Sequence, residues 1–308
     1  MTNNNQLLSI STFVWIIFCI FVTIKKCSLT VALVTTEVIL PSVALRPYVH
    51  HYWIMKTSEM SLSHIIMPVG CPKLIFHRKR PFDINGVENI KQKASIIGPY
   101  DKAIRINTSE DLEMITVFLM PYAAKMITSI PCHEFSNDNV DLEDLESVEF
   151  KELKMRILEA ETTESCIGMI EDFIIQQLTK TQGSPYLKQL INVFNLMAEN
   201  PEVRIDELAS AACLSERQFR RVFIDNVGMK PKQIQRIQRF HLATNEIIKS
   251  IPANIDRVLY KYGYTDHSHF NREFHEIVNI SPTKYIAFLE SIRKQDIMSA
   301  LRSYHVSE

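Results

Sequence analysis

The sequence predicts an α+β protein with a mostly-β N-terminal domain, a helical linker and an all-α C-terminal domain that contains two helix-turn-helix motifs. Short β-branched and aromatic runs occupy residues 31–120, and apolar residues recur at helical spacing from about residue 142. A third observation is a segment that occurs twice between residues 208 and 286. The chain has 308 residues, of which 46% are hydrophobic and 22% charged, and this is an ordinary globular composition.

Charge is segregated along the chain although its net value is only -1. Residues 137–165 are rich in Asp and Glu, whereas residues 200–294 carry an excess of Lys and Arg together with four histidines. The overall balance therefore does not indicate nucleic acid or membrane as a partner. The mildly basic C-terminal third is the region to search for a polyanion-binding surface.

An uncharged apolar stretch covers residues 7–24 within the N-terminal segment 1–30. It is just long enough to span a bilayer, and Lys25 and Lys26 would place the following residues in the cytoplasm as an inner-membrane tether. The alternatives are a start codon assigned too early, with the protein beginning near residue 31, and a buried segment. The tether and the early start codon both predict a cytoplasmic folded part.

Six strands are predicted in the β-rich domain, residues 31–135. The runs are TVALVTTEVIL, HYWIM, HIIMPV, KLIFH, ASIIG and MITVFLM, separated by turn-rich pieces. A small barrel or sandwich fits this pattern. The run YAAKMITSIP predicts one short helix after the last strand.

Amphipathic helices are predicted over 142–160 and 164–180, within a helical linker at 136–180. Their apolar faces have two alternative uses, a dimer surface or packing against the β-rich domain. The turn TQGSP at 181–185 is the predicted joint between domains. Helices continue from 185 to 292, followed by a tail at 293–308.

The C-terminal repeat aligns residues 208–234 with 258–286. Phe219, Arg221 and Phe223 correspond to Phe270, Arg272 and Phe274, each 51 positions later. Matched apolar and Arg positions at this spacing indicate two copies of one supersecondary unit, and each copy follows the order helix, tight turn, helix.

In the first copy, Ser215 is a predicted N-cap, and Gln218 completes a capping box three residues later. The second helix of the unit then runs from Glu216 to about Val227 and ends at Gly228. Cations exposed near the start of this helix suit a DNA major groove. They are Arg217, Arg220 and Arg221.

In the second copy, Asp266 is the predicted N-cap, and Phe270 and Phe274 are the predicted core anchors. The exposed face then carries His267, Ser268, His269, Asn271 and Arg272. A metal site is not expected, because His267 and His269 stand two positions apart and point in different directions. An acid–base site is not expected either, because the repeat predicts a convex helix face instead of a cleft.

Residues 185–292 resemble the twin helix-turn-helix DNA-binding domain of the AraC/XylS family of bacterial transcription regulators. The resemblance rests on ELASAACLSERQFRRVF, GMKP, the Arg239–Ala243 spacing and, most specifically, GYTDHSHFNREF followed by SP. Three features depart from the family pattern. Asn279 replaces the usual Gly, Leu259 replaces the usual Ala, and the helix after Asp266 carries more acidic residues than is typical. These departures would weaken the binding of the second helix to DNA without threatening the fold.

The resemblance implies sequence-specific recognition of double-stranded promoter DNA through two successive major grooves, with a bridging helix at about 232–249. Base contacts would fall on Arg217, Arg220, Arg221, His267, Ser268, His269, Asn271 and Arg272, and phosphate contacts on Lys232, Arg236 and Lys284. The resemblance also implies RNA polymerase, a small-molecule effector and a homodimer as partners.

By the same resemblance, the N-terminal domain is a cupin-like sensor domain, and LPSVALRPYVHHYWIM with MPVGCPKLIF is similar to the start of one such domain. The spacing of His50, His51, His64 and His77 does not follow the metal-binding cupin motif. The six scattered cysteines contain no CxxC pair, and no Gly-rich phosphate loop is present. We therefore expect no metal, no cofactor and no enzymatic activity. A membrane-tethered regulator and a cupin-like enzyme carrying a DNA-binding module are the alternatives.

Overall fold

The structure is a computed structural model that describes residues 34–57, 62–86, 92–108, 111–181, 184–249 and 255–288. The apolar segment 7–24 and the tail 293–308 lie outside these ranges, so the predictions made for them stay predictions. Among the described residues, no helix has the length and apolar character needed to cross a membrane.

Nine strands form two antiparallel sheets in the described part of the N-terminal domain. The strands are β1 Val34–Ile39, β2 Val49–Thr57, β3 Leu62–Ile66, β4 Lys73–His77, β5 Asp83–Ile84, β6 Ala94–Ile97, β7 Ile104–Thr108, β8 Glu113–Leu119 and β9 Asn139–Asp141. The larger sheet has the order β1-β2-β8-β4-β6-β9, and the smaller has the order β3-β7-β5. Because β9 pairs with β6, the β-rich domain of the structure extends through residue 141. Val117 at the centre of the large sheet pairs with Tyr52 on one side and Leu74 on the other. A buried apolar cluster contains side chains from both sheets, including Ile75 and Ile106.

Each of the six predicted strand runs overlaps an observed strand, but β5, β7 and β9 were not predicted. In β7 the period-two signal was present, because Ile104 and Ile106 are buried and Arg105 is exposed between them. β5 has only two residues and carries no periodicity.

The helices begin within the β-rich domain and continue through the C-terminal domain. They are α1 Ala124–Thr128, α2 Val148–Glu159, α3 Thr163–Thr181, α4 Leu187–Glu199, α5 Ile205–Ala211, α6 Glu216–Val227, α7 Pro231–Lys249, α8 Ile255–Lys261 and α9 His267–Val278. A further helical segment spans residues 282–288. The first linker helix starts later than its predicted bound of 142. Ser147 caps it, and the preceding Leu142 and Leu145 are buried outside the helix.

The hydrophobic core does not stop at the domain boundary. Phe219 and Phe223 of the first helix-turn-helix unit belong to the same buried cluster as Tyr52 and Leu74 of the large sheet. In the second unit, Phe274 shares a buried cluster with Ile65 of the small sheet. The β-rich domain therefore packs against both helix-turn-helix units.

The β-rich domain presents no group of three or more His, Cys, Asp or Glu that could hold a metal ion, as far as the structure describes it. His51 and His77 are buried in β2 and β4. Burial lowers the pKa of His77 to about 3, so this imidazole is neutral at physiological pH. Cys71, Cys132 and Cys166 are free thiols buried in the fold.

Candidate nucleic-acid interface

The first recognition helix, α6, has the bounds and caps that its sequence predicts. Ser215 accepts a hydrogen bond from the Gln218 backbone, and the Gln218 side chain completes the capping box. The helix ends at Gly228, which is in the left-handed region with φ 84°. A Cβ at that position would also lie 2.8 Å from the Cys132 carbonyl oxygen, so both the conformation and the close approach require glycine.

The second recognition helix, α9, is capped by Asp266, which accepts a hydrogen bond of 2.7 Å from the His269 backbone nitrogen. It ends at Asn279, whose φ of 61° is also in the left-handed region. Asn tolerates this conformation better than other residues with a Cβ, and therefore the substitution for the usual Gly preserves the helix stop. Phe270 and Phe274 are buried, as predicted.

The side chains predicted to contact bases lie on the outer faces of these two helices. All are exposed except His269, which is half-buried. Two of them already have acidic partners, because Arg220 bonds Glu216 at 2.9 Å and His267 bonds Asp256 at 2.6 Å. Arg217, Arg221 and Arg272 have no ion pair within the described residues, so they are the cations most available to a nucleic acid.

The three predicted phosphate contacts differ in their surroundings. Lys232 is exposed near the start of α7, and Lys284 is exposed in the 282–288 helix. Arg236 is instead engaged within the protein, where its Nε donates to Glu273 at 2.6 Å and its Nη2 donates to Glu276. A phosphate would therefore compete with two carboxylates for Arg236.

A cleft of about 670 Å³ separates the start of α7 from α9. Cations and carboxylates both line it. The lining residues are Pro201, Glu202, Lys232, Gln235, Arg236, Arg239, His269, Arg272, Glu273 and Glu276. The acidic side chains reduce the positive potential inside this cleft.

Contacts from the β-rich domain fix the C-terminal ends of both recognition helices. The Ser136 hydroxyl donates to the Gly228 carbonyl at 2.7 Å, just beyond α6. The Ala103 backbone nitrogen donates to the Ile277 carbonyl at 2.7 Å, in the last turn of α9. Local sequence patterns gave no sign of these contacts, because each joins residues far apart in the chain.

Two capped recognition helices with cationic outer faces, connected by one long helix, define a twin helix-turn-helix protein. Residues 208–287 match a family described as a helix-turn-helix domain, and this family is of the AraC type. The match confirms the resemblance found in the sequence, in that residues 208–287 form an AraC-type helix-turn-helix domain. Residues 37–141 match a second family, described only as a domain of unknown function, DUF6597.

Similar proteins include a probable transcriptional regulator, LumQ, from Photobacterium leiognathi. The two sequences are 28% identical over 88 residues, which is 29% of this chain and 35% of that protein. The matched region thus spans about a third of the length of the relative. Structures of ToxT from Vibrio cholerae are similar at 11% identity, with a TM-score of 0.40 in one case, covering 82% of this chain and 98% of that one. A ToxT structure bound to (E)-4-(8-methylnaphthalen-1-yl)but-3-enoic acid has a TM-score of 0.41 at the same identity and covers 83% of this chain and 99% of that one.

Proposed function

We propose that the chain is a sequence-specific transcription regulator that inserts α6 and α9 into two successive major grooves of promoter DNA. The observation that carries this proposal is the matched exposure of Arg221 and Arg272, equivalent positions of the repeat, on two helices whose caps and cores are equivalent; Arg217 is also exposed, in the first turn of α6. An Arg near the start of a major-groove helix donates two hydrogen bonds to a guanine edge, and neighbouring polar groups bond other bases or phosphates.

The test is genome-wide selection of DNA fragments bound by the full chain, repeated with Arg217→Ala, Arg272→Ala and Arg156→Ala. Arg156 is exposed on α2, so its replacement changes net charge equally without touching either recognition helix. We expect a motif of two half-elements about one helical turn apart. Arg217→Ala should degrade one half and Arg272→Ala the other, each by about 1–3 kcal/mol, whereas Arg156→Ala should leave the motif intact.

Two results would contradict the proposal. Either no motif emerges from the selection, or both recognition-helix variants weaken all fragments uniformly. Uniform weakening would mean that the arginines contact only phosphates, which carry no sequence information.

We also propose that the β-rich domain modulates DNA binding. Its direct hydrogen bonds to the ends of α6 and α9 support this, because a ligand that moves Ser136 or Ala103 would move a recognition helix. A small-molecule effector, a homodimer partner, RNA polymerase and a cytoplasmic location belong to the same proposal. Replacing Ser136 by Ala removes one of these contacts without touching DNA. If DNA affinity is unchanged in this variant, the hydrogen bond to Gly228 does not transmit the modulation.

We propose that the β-rich domain has no enzymatic role. The distribution of the four histidines supports this proposal, because only His50 and His51 are neighbours, on β2, whereas His64 and His77 lie on two other strands, β3 and β4. Metal analysis of the purified chain tests it. A stoichiometric transition metal that is lost when His51 and His77 are replaced would instead favour a cupin-like enzyme.

A further inference from the structure

Glu273 is a carboxylate buried on a DNA-recognition helix. It lies on α9 with 5% of its surface exposed, and no other acidic side chain in the described residues is buried. Its neighbours Arg272 and Glu276 on the same helix are exposed. A buried carboxylate without partners would destabilise the fold by several kcal/mol, so the groups around it must compensate for the lost hydration.

Two arginines of α7 surround this carboxylate. Arg236 Nε donates to it at 2.6 Å, and Arg239 Nη2 lies 3.1 Å and 3.0 Å from its two oxygens. The Arg239 guanidinium also stacks over the Tyr264 ring, 4.8 Å from the centroid. Burial acts to raise the pKa of Glu273, but the Tyr264 hydroxyl and the two guanidinium groups outweigh it and hold the pKa below its usual value. The carboxylate is therefore charged, and its bonds to the two arginines join α9 to α7.

The same helix α7 is fixed to the segments just before the first helix-turn-helix unit by two buried amides. Gln235 donates to the Val203 carbonyl at 2.7 Å, just before α5, and Gln238 donates to the Met197 carbonyl of α4 at 2.9 Å. Neighbouring positions of α7 thus make two different sets of contacts. Gln235 and Gln238 bond the segments before the first unit. Arg236 and Arg239 bond Glu273 of the second unit. The angle between α6 and α9 depends on both sets of contacts.

We propose that Glu273 is a positioning residue for DNA recognition: through Arg236 and Arg239 it fixes α9 against α7, and so sets the spacing between half-elements that the protein accepts. This inference rests on the proposed twin recognition of DNA. Glu276 provides the matched control, because it bonds the same Arg236 from the next turn of α9 but is exposed. An exposed pair of this kind contributes little to rigidity.

The experiment measures the affinity of the full chain for its selected operator and for versions with one base pair removed or added between the half-elements. One base pair rotates a half-element by roughly 35° and shifts it by about 3.4 Å, so a rigid reader should lose about tenfold or more in affinity. We expect the wild type and Glu276→Gln to keep this discrimination. Glu273→Gln should reduce it to about threefold or less, mainly by weakening binding at the native spacing.

Glu273→Asp keeps the charge and retracts the carboxylate by one methylene, and it should give an intermediate discrimination. It also carries the test if Glu273→Gln fails to fold, as judged by circular dichroism. If a folded Glu273 variant kept the wild-type discrimination between spacings, the inference would be overturned. Glu273 would then affect only the free energy of unfolding and not the spacing that the protein accepts. A wild type that binds both half-elements at any spacing would also overturn the inference while leaving the proposed function intact. The absence of any specific binding would instead refute the proposed function.

Discussion

Replacing His241 should remove part of the acid sensitivity of the protein. His241 lies on α7 with only 1% of its surface exposed, and its Nε2 bonds the Pro68 carbonyl of the β-rich domain. Its Nδ1 is buried without a hydrogen-bond partner among the described residues. Protonation would bury an N–H cation at that atom, and burial accordingly lowers the pKa of His241 to about 4.

The direction and size of this pH effect on stability follow from the difference between the pKa of His241 in the folded and in the unfolded chain. Because the folded pKa is lower than the ordinary value of 6.5, the unfolded chain takes up a proton first as the pH falls. The contribution of neutral His241 to stability is therefore fully present above pH 6.5 and is lost as the pH falls from 6.5 to 4. At pH 5 the loss from this one residue is about 2 kcal/mol.

Urea unfolding followed by circular dichroism, at pH 7.5 and at pH 5, measures this loss. Burial also lowers the pKa values of His50, His64 and His77, so the comparison must be between variant and wild type. His241→Gln keeps an amide donor for Pro68 but cannot titrate, and it should lose about 2 kcal/mol less than the wild type between the two pH values. His275→Gln, at an exposed position of α9, is the control and should behave as wild type. If His241→Gln lost as much stability as the wild type, the interface histidine would not be the group that titrates.

Three further changes test the packing and the caps. Lys73→Met should raise stability at pH 7 by up to about 3 kcal/mol in urea unfolding, because burial lowers the pKa of Lys73 to about 8. It should also abolish the rise in stability that the wild type shows between pH 8 and 10.5, where only the unfolded lysine is protonated. Ser215→Ala removes the cap of α6 and should lower the free energy of unfolding by about 1 kcal/mol, with a matching loss in thermal midpoint. Phe274 is 1% exposed and packs against Phe240, Phe270 and Tyr285. Phe274→Ala leaves a cavity there and should lower the free energy of unfolding by about 3–5 kcal/mol in the same assay.

The bounds and caps of the recognition helices could be predicted because their determinants are local. Ser215 with Gln218 starts α6, Gly228 ends it, and Asp266 starts α9. Each signal acts within four residues, so the chain itself specifies the helix. The repeat adds the prediction that both helices are used in the same way.

Contacts between distant segments could not be predicted by the same means. The pairing of β3 with β7, the bond from Ala103 to Ile277 and the bond from His241 to Pro68 each depend on how whole elements pack. Glu273 of α9 illustrates the difference between local signals and long-range contacts. From sequence, Glu273 is an extra negative charge that weakens DNA binding, whereas the structure buries it against two arginines.

The arrangement on α9 also changes how the cations of the C-terminal domain should be counted. Arg236 and Arg239 contribute to the basic composition of this region, yet both are paired with Glu273 inside the protein. The salt dependence of DNA binding reports only cations that replace counterions on phosphate, with a slope of about -0.9 per phosphate neutralised. Lys232 and Lys284 are free to contribute to that slope, while Arg236 can do so only by leaving two carboxylates. The salt slope will therefore be shallower than the number of basic residues suggests. Under the proposed function, specificity then depends more on base contacts and on the proposed fixed angle between the two recognition helices.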